Sequence, residues 1–149
     1  MPSYTDSLGF DKGSAAFDAR GNTHGTKMEV VLDFAKIAAA RTAAGATALA
    51  NADTLDVLPI PAGAVVLAAG FQTTTAQATL TVSLGDSGSG TRYVSAASTA
   101  STGWTTPLIG SSGTVPYVYT ADSALRVTFG GTAPTTAVIR VWVYVVDAN

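Results

Sequence analysis

One short segment of this sequence contains the residue types of a nucleophilic serine site. Residues 85–90 read Gly-Asp-Ser-Gly-Ser-Gly, and His24, Asp33 and Ser87 follow one another along the chain. Asp53 and Asp56 are further candidates for the acid. Serine hydrolysis needs a serine, a histidine base and an orienting acid within hydrogen-bond distance of one another, held on a rigid framework. The residue types therefore permit this chemistry, and the elements around them must decide whether it occurs.

The surroundings of these residues argue against catalysis. His24, the single histidine, lies in a polar, glycine-rich stretch where we expect neither a strand nor a helix. Glycine and aspartate tolerate the positive φ angles of tight turns, so residues 85–90 also have the composition of a plain hairpin turn. We therefore interpret this segment as a turn, and we predict that the protein is not an enzyme and has no catalytic residues.

Metal and cofactor sites are also unsupported by the residue types. The chain has no cysteine, and Glu29 is its single glutamate, which excludes thiolate zinc sites and paired-glutamate catalysis. Asp53 and Asp56 are close in sequence, but a calcium ion takes about 6–8 oxygen ligands, which this stretch does not supply. No phosphate-binding or dinucleotide-binding motif is present. We predict no metal, no cofactor and no small-molecule substrate.

The composition indicates a protein that is covered by other proteins. Charged residues make up 12% of the chain, about half of the roughly 25% usual in soluble domains. Thr, Ser and Gly dominate the remainder, and such a surface loses little side-chain entropy when it is buried. The net charge of -2 with scattered Lys and Arg argues against nucleic acid as a partner. No apolar run approaches the roughly 20 residues that span a membrane, and Met1 to Phe10 do not form a secretion signal. We therefore expect synthesis in the cytoplasm and no membrane partner.

The chain divides into two regions by composition. Residues 1–27 are polar and glycine-rich, with aromatic side chains spaced out at Tyr4, Phe10 and Phe17. This spacing predicts an extended N-terminal arm that docks its aromatic residues on another protein surface. Residues 28–149 have the alternating pattern of strands, so we predict that they form the folded domain.

Repeated alternation of apolar and polar residues predicts an all-β domain. Met28, Val30 and Leu32 alternate with Glu29 and Asp33, and about eight such segments follow one another with turns at short intervals. That pattern is typical of an antiparallel β-sandwich or jelly roll. Residues 35–52 are expected to form a loop with at most a short helical turn, because Gly45 and the threonines oppose a helix. Residues 91–107 are expected to form a long surface loop around Trp104.

The aromatic residues outside the arm divide into two groups. Trp142 and Tyr144 lie on the last strand, residues 137–147, and are most simply interpreted as core. That strand is apolar on both faces, as expected for a central strand between covered layers or for one at a subunit interface. Trp104 either packs back on the domain or makes a contact with a partner. The candidate protein-interface residues are therefore Tyr4, Phe10, Phe17 and Trp104.

Several short segments in a fixed order resemble the decoration, or cement, proteins of tailed-bacteriophage capsids. The resemblance covers roughly residues 28–147 and leaves out the arm. It rests on the order of these segments: Val30–Ala35, Ala52–Leu58, Ile60–Val66, Thr79–Asp86, Tyr119–Leu125 and Val138–Val146.

The resemblance implies a jelly-roll-like β-sandwich that forms homotrimers. It also implies a place on the outer surface of an icosahedral head, at local three-fold positions, where the trimer binds the major capsid protein and stiffens the shell. No catalytic residues come with the resemblance. Two other functions remain open: another phage structural component, such as a head-fibre base or tail protein, and a carbohydrate-binding or adhesin module, which would use Trp104.

Overall fold

The computed structural model describes residues 25–105 and 115–147, which form nine strands and one helix. No helix in these ranges has the length and apolar character needed to cross a membrane. The elements in chain order are β1 (Gly25–Asp33), α1 (Phe34–Ala43), β2 (Thr54–Ile60), β3 (Ala64–Thr75), β4 (Thr81–Gly85), β5 (Val94–Ser98), β6 (Gly103–Thr105), β7 (Tyr117–Val118), β8 (Ser123–Gly130) and β9 (Val138–Asp147).

The strands form two antiparallel sheets that pack face to face. The five-stranded sheet has the order β1-β9-β3-β6, and the short strand β7 pairs with β3 beside β6. The four-stranded sheet has the order β2-β8-β4-β5. Most connections cross from one sheet to the other, and the β4–β5 hairpin stays within one sheet, which gives the double-sheet arrangement of a jelly roll. The predicted all-β, jelly-roll-like antiparallel sandwich is therefore confirmed, with nine strands in the described ranges where about eight were expected.

The core lies between the two sheets and follows from the alternation in each strand. Successive side chains of a strand point to opposite faces, so every second residue enters the core. In β9 these residues are Ile139, Val141, Val143 and Val145. The other sheet contributes the buried side chains of Leu58, Ile60, Leu80, Val82, Leu84, Leu125, Val127 and Phe129.

The helix α1 corrects the predicted loop at residues 35–52. Asp33 begins the helix, because its side chain accepts a hydrogen bond from the backbone N–H of Lys36 at 3.2 Å. Phe34 anchors it in the core, where its ring packs edge-on against Phe129 with centroids 5.1 Å apart. The helix ends at Ala43, before Gly45, which takes a φ of 68°. The glycine therefore ends the helix and does not prevent it, because the alanine-rich stretch before it favours helix.

Two strand predictions are also corrected. The strand expected from Gln77 begins only at Thr81, because Thr79 has a φ of 63°. The Gln77 side chain instead holds the loop before β9: its Oε1 accepts from the backbone N–H of Thr135 at 2.9 Å, and its Nε2 donates to Ala133 O at 2.7 Å. The loop predicted at residues 91–107 contains β5 and β6, so Trp104 lies on a strand.

The first strand begins at Gly25, close to the predicted start of the domain. The division into an arm of residues 1–27 and a domain of residues 28–149 stays a prediction, because most of the proposed arm lies outside the described residues.

Candidate interaction surface

The outward-facing side of the five-stranded sheet is unusually apolar. The pairing register aligns Val31 with Arg140, Arg140 with Gln72, and Gln72 with Trp104, which forms one row across the sheet. Directly paired residues in an antiparallel sheet point to the same face. A second row contains Val146, Val65 and Val118. We call this surface the apolar face, and its members are Val31, Val65, Trp104, Val118, Arg140, Trp142, Tyr144 and Val146.

The apolar face carries all the exposed large hydrophobic side chains of the described residues. Their exposed fractions are 54% for Val31, 59% for Trp104, 54% for Val118 and 37% for Tyr144. Single exposed apolar residues are normal on a protein surface, but a set gathered on one face marks a surface for binding. The face is therefore the strongest candidate interaction surface of the described chain.

Two hydrogen-bond donors on the apolar face have no acceptor. The Nε of Arg140 and the Nε1 of Trp142 are buried, and the described residues provide no hydrogen-bond partner for either atom. A buried donor without a partner costs roughly 1–3 kcal/mol. The two residues are alternate members of β9, so both donors lie on this face, in neighbouring rows. The face therefore combines exposed apolar side chains with two buried N–H donors that have no acceptor among the described residues.

The charged residues at the β1 side of the face are Lys27 and Glu29. Their side chains form an exposed ion pair with Nζ and Oε2 2.7 Å apart. The hydrogen bond from Lys27 lowers the pKa of Glu29, and the positive charges of Lys27 and Arg140 add to this effect. The apolar side of the sheet therefore carries one exposed ion pair beside its two buried donors.

The outward side of the four-stranded sheet has the opposite character. Its rows contain Thr54, Thr128 and Ser83, and Asp56 lies opposite Arg126. The Arg126 guanidinium donates two hydrogen bonds to Asp56, at 2.6 and 2.9 Å. The hydrogen bond from Arg126 lowers the pKa of Asp56. We call this surface the polar face.

The Gly85–Gly90 segment is a turn locked by Asp86. This buried carboxylate accepts hydrogen bonds from the backbone N–H groups of Gly88 and Ser89, both at 2.8 Å. It also accepts from Arg92 Nε at 2.5 Å and from the Tyr119 hydroxyl at 2.7 Å. Ser87 is exposed beside two open depressions of about 280 and 220 Å³. Asp86 therefore serves to shape the turn, and His24 lies outside the described residues.

The Asp86 cluster extends into the core through aromatic residues. The Tyr119 hydroxyl lies 2.7 Å from that of Tyr93, and the Arg92 guanidinium lies 3.8 Å from the centroid of the Tyr117 ring. Burial raises the pKa of Tyr93 to about 12 and raises that of Tyr119 further, so both hydroxyls stay protonated. Burial would raise the pKa of Asp86 as well, but the hydrogen bonds from Arg92, Tyr119 and the turn outweigh it and hold that pKa below its usual range.

The aspartates considered for a metal ion have structural contacts. Asp53 accepts a hydrogen bond from the Ala50 N–H at 2.8 Å, and Asp56 is engaged by Arg126. The described ranges contain no group of three or more His, Cys, Asp or Glu side chains that could hold a metal ion.

The predicted interface residues divide between the described and undescribed parts of the chain. Trp104 lies on the apolar face, at the outer edge of the sheet. Tyr4, Phe10 and Phe17 lie outside the described residues. The prediction that Trp142 and Tyr144 belong to the core is wrong, because both point outward. Val31 and Val118 were missed, and the available signal was the final strand, which is apolar on both faces.

Two solved structures contain chains that are similar in fold. One is the acidic stable capsid structure of Helicobacter pylori bacteriophage KHP30, with 14% identity, a TM-score of 0.59, and coverage of 86% of this chain and 91% of that chain. The other is the capsid asymmetric unit of cyanophage Pam1, with 24% identity, a TM-score of 0.55 and coverage of 83% of both chains. No protein-family model and no curated protein sequence matches this chain. The shared feature is the fold.

Proposed function

We propose that this protein is a structural component of a bacteriophage virion. The observation that carries the proposal is the fold, which matches chains of two phage capsid structures over more than four fifths of each partner. The resemblance of the ordered sequence segments to capsid decoration proteins points in the same direction. Within the described residues, Asp86, Asp53 and Asp56 form hydrogen bonds inside the chain.

More specifically, the protein decorates the outer surface of an icosahedral phage head as a homotrimer at local three-fold positions. Its partners are the major capsid protein and two further copies of itself, and it is made in the cytoplasm of the bacterial host. The apolar face supports this proposal, because it exposes side chains that a permanent partner would cover. The low charge content supports it too, since few long side chains lose freedom on assembly.

Such a protein would stabilise a head by bridging neighbouring capsomers. Each copy needs only a modest contact with the shell, because three linked contacts add as avidity. The arm of residues 1–27, with Tyr4, Phe10 and Phe17, supplies further contacts to a neighbouring surface. An extended segment binds through backbone hydrogen bonds and a few side-chain anchors. In this proposal the sandwich binds the shell as a rigid domain, and the arm adds contacts to a neighbouring surface.

The first test is the native mass of the purified protein at several concentrations. We expect a species of three chains that persists on dilution. The second test mixes the protein with purified heads of the phage that encodes it, prepared without it, and measures co-sedimentation. Saturable binding with one trimer per local three-fold position is the expected result. A protein that neither trimerises nor sediments with heads would refute the proposal.

A matched variant separates the arm from the sandwich in the same assay. Removal of residues 1–24 leaves β1 complete, because that strand begins at Gly25. We expect the shortened chain to keep its β-rich circular dichroism spectrum and to lose head binding. Full binding by the shortened chain would exclude the arm from the contact and leave the sandwich surface as the binding element.

A further inference from the structure

The residues of the apolar face indicate which chemical groups a bound partner must have. The occupant must cover Val31, Trp104 and Val118, and it must bring hydrogen-bond acceptors for the Arg140 Nε and the Trp142 Nε1. A carboxylate is the strongest acceptor for a guanidinium. The partner chemistry is therefore an extended apolar segment that carries an acidic residue between its anchors.

Residues 4–10 of this chain have that chemistry. The segment reads Tyr-Thr-Asp-Ser-Leu-Gly-Phe, and in an extended conformation its alternate residues share one side. That side consists of Tyr4, Asp6, Leu8 and Phe10. The opposite side consists of Thr5, Ser7 and Gly9, which are small and suit exposure to solvent. An acidic side chain is thus flanked by apolar anchors on a single side of the segment.

The length of the segment matches the length of the face. Residues 4 and 10 are six positions apart, which is about 20 Å in an extended chain. Arg140 and Val146 on β9 are also six positions apart, and the face between them contains four rows, led by Arg140, Trp142, Tyr144 and Val146. Four side chains of the segment can therefore match four rows of the face, which places Asp6 at the row of Trp142.

The length of chain before β1 allows the segment to reach a neighbouring copy. Residues 11–24 connect the segment to β1 and reach up to about 50 Å when extended. That reach exceeds the diameter of a domain of this size, which has a radius of gyration of about 14 Å.

We infer that residues 4–10 of each copy bind the apolar face of the next copy in the trimer. This inference rests on the proposed homotrimer, and it identifies the contact that joins each copy to the next. Each copy donates one segment and receives one, which is a head-to-tail interface, and three such interfaces close a ring. Asp6 accepts hydrogen bonds from the donors of Arg140 and Trp142, and the apolar side chains of the segment cover the exposed residues.

Cross-linking tests the contact directly, because the natural chain contains no cysteine. The double variant Leu8→Cys with Ala68→Cys places one thiol on the segment and one beside Tyr144 on the apolar face. Oxidation should produce covalent trimers on a non-reducing gel. Leu8→Cys with Ser95→Cys is the matched control, since Ser95 is exposed on the four-stranded sheet and should give no cross-link. Mixing the two single variants Leu8→Cys and Ala68→Cys should produce cross-linked dimers, which only a contact between chains allows.

Two results would overturn the inference. Cross-links confined to single chains would show that the segment lies on its own face. Equal cross-linking to Ser95 and to Ala68, or none to either, would show that the segment does not select this face.

A charge variant provides a second measurement that leaves the sandwich unchanged. Asp6→Lys places a cation in the Trp142 row, next to Arg140, and should weaken trimer formation by about tenfold to a hundredfold, the range for hydrogen bonds to charged groups. Asp11→Lys is the control, because residue 11 falls on the other side of an extended segment, and it should have less than a threefold effect. Equal effects of the two variants would contradict the role of Asp6.

These outcomes are distinguishable from failure of the proposed function. A natural chain that trimerises and binds heads, but whose segment cross-links only to its own face, refutes the inference and retains the function. A natural chain that neither trimerises nor binds heads refutes both.

Discussion

Two partly buried arginines of this protein differ in the hydrogen-bond partners that surround them. Arg92 pairs with the buried carboxylate of Asp86 and stacks on the Tyr117 ring, at one end of the sandwich. Arg140 lies on β9 in the apolar face, where its buried Nε has no partner among the described residues. The first cluster provides acceptors for its buried donors, whereas the described residues provide none for the Nε of Arg140 or the Nε1 of Trp142.

The Asp86 cluster stabilises the fold through contacts within the chain, whereas the apolar face is the surface that we propose a partner covers. A buried charge is stable when a partner and further hydrogen bonds compensate for lost hydration, as at Asp86. Where the chain does not supply the compensation, a neighbouring chain can. The comparison therefore predicts that changes at the Asp86 cluster reduce stability, while changes on the apolar face reduce assembly.

The largest effect is expected for Asp86→Ala. It removes the carboxylate that pairs with Arg92 and that accepts from Tyr119 and from two backbone groups of the turn. Breaking a buried pair in this way lowers the free energy of unfolding by about 3–5 kcal/mol. Urea denaturation measures the change. Asp56→Ala is the control, because that aspartate is half exposed, and its effect should be much smaller. Similar losses for the two variants would remove the distinction between the cluster and the polar face.

The same cluster predicts how stability depends on pH. The folded pKa of Asp86 lies below the unfolded value of about 3.9, so its contribution to stability is complete above that value. The contribution is lost as the pH falls through the folded pKa. We expect the melting temperature of the natural protein to fall below about pH 4, and that of Asp86→Asn to start lower and fall less steeply. Parallel curves for the two proteins would exclude Asp86 as the group responsible.

On the apolar face, Trp104→Ser should separate assembly from stability. Trp104 is largely exposed on the short strand β6, so its replacement should change the free energy of unfolding by no more than about 0.5 kcal/mol. A tryptophan that a partner covers contributes about 2 kcal/mol or more when it is an anchor of the interface, roughly a thirtyfold change in affinity. Native mass and head co-sedimentation measure the loss. Thr54→Ser on the polar face is the control. A variant that assembles normally would exclude Trp104 from the interface.

The sheet architecture was predictable from the sequence because each strand carries its own alternation. Met28, Val30 and Leu32 enter the core as the pattern requires, and the turn at Asp86 has the residues that a turn needs. The prediction of a loop with at most a helical turn is wrong over α1, because Gly45 weakens a helix only from within, and this helix ends before the glycine. Local composition therefore predicts most of the strands. It fails at α1, where the position of Gly45 after the end of the helix decides whether the helix forms.

The interaction surface was harder to predict because it depends on pairing between distant strands. Both faces of β9 are apolar, so alternation alone does not reveal which face is covered. The pairing with β1 decides it, because Lys27 and Glu29 lie opposite Tyr144 and Trp142 and face outward with them. Val118 belongs to a strand of two residues, which leaves no pattern to detect. Trp104 was identified as an interface candidate by residue type, although its strand was not predicted.

The smallest effect is expected for Arg140→Met, and the same substitution at Arg92 is its comparison. Arg92→Met leaves Asp86 buried without a cation and should lower the free energy of unfolding by about 3–5 kcal/mol. Arg140→Met removes a buried donor that has no partner, so the free energy of unfolding should stay the same or rise by about 1 kcal/mol. Urea denaturation at a concentration where the native mass is that of one chain measures both. A loss at Arg140 as large as that at Arg92 would mean that Arg140 stabilises the isolated chain, and the apolar face would then no longer be the surface that requires a partner.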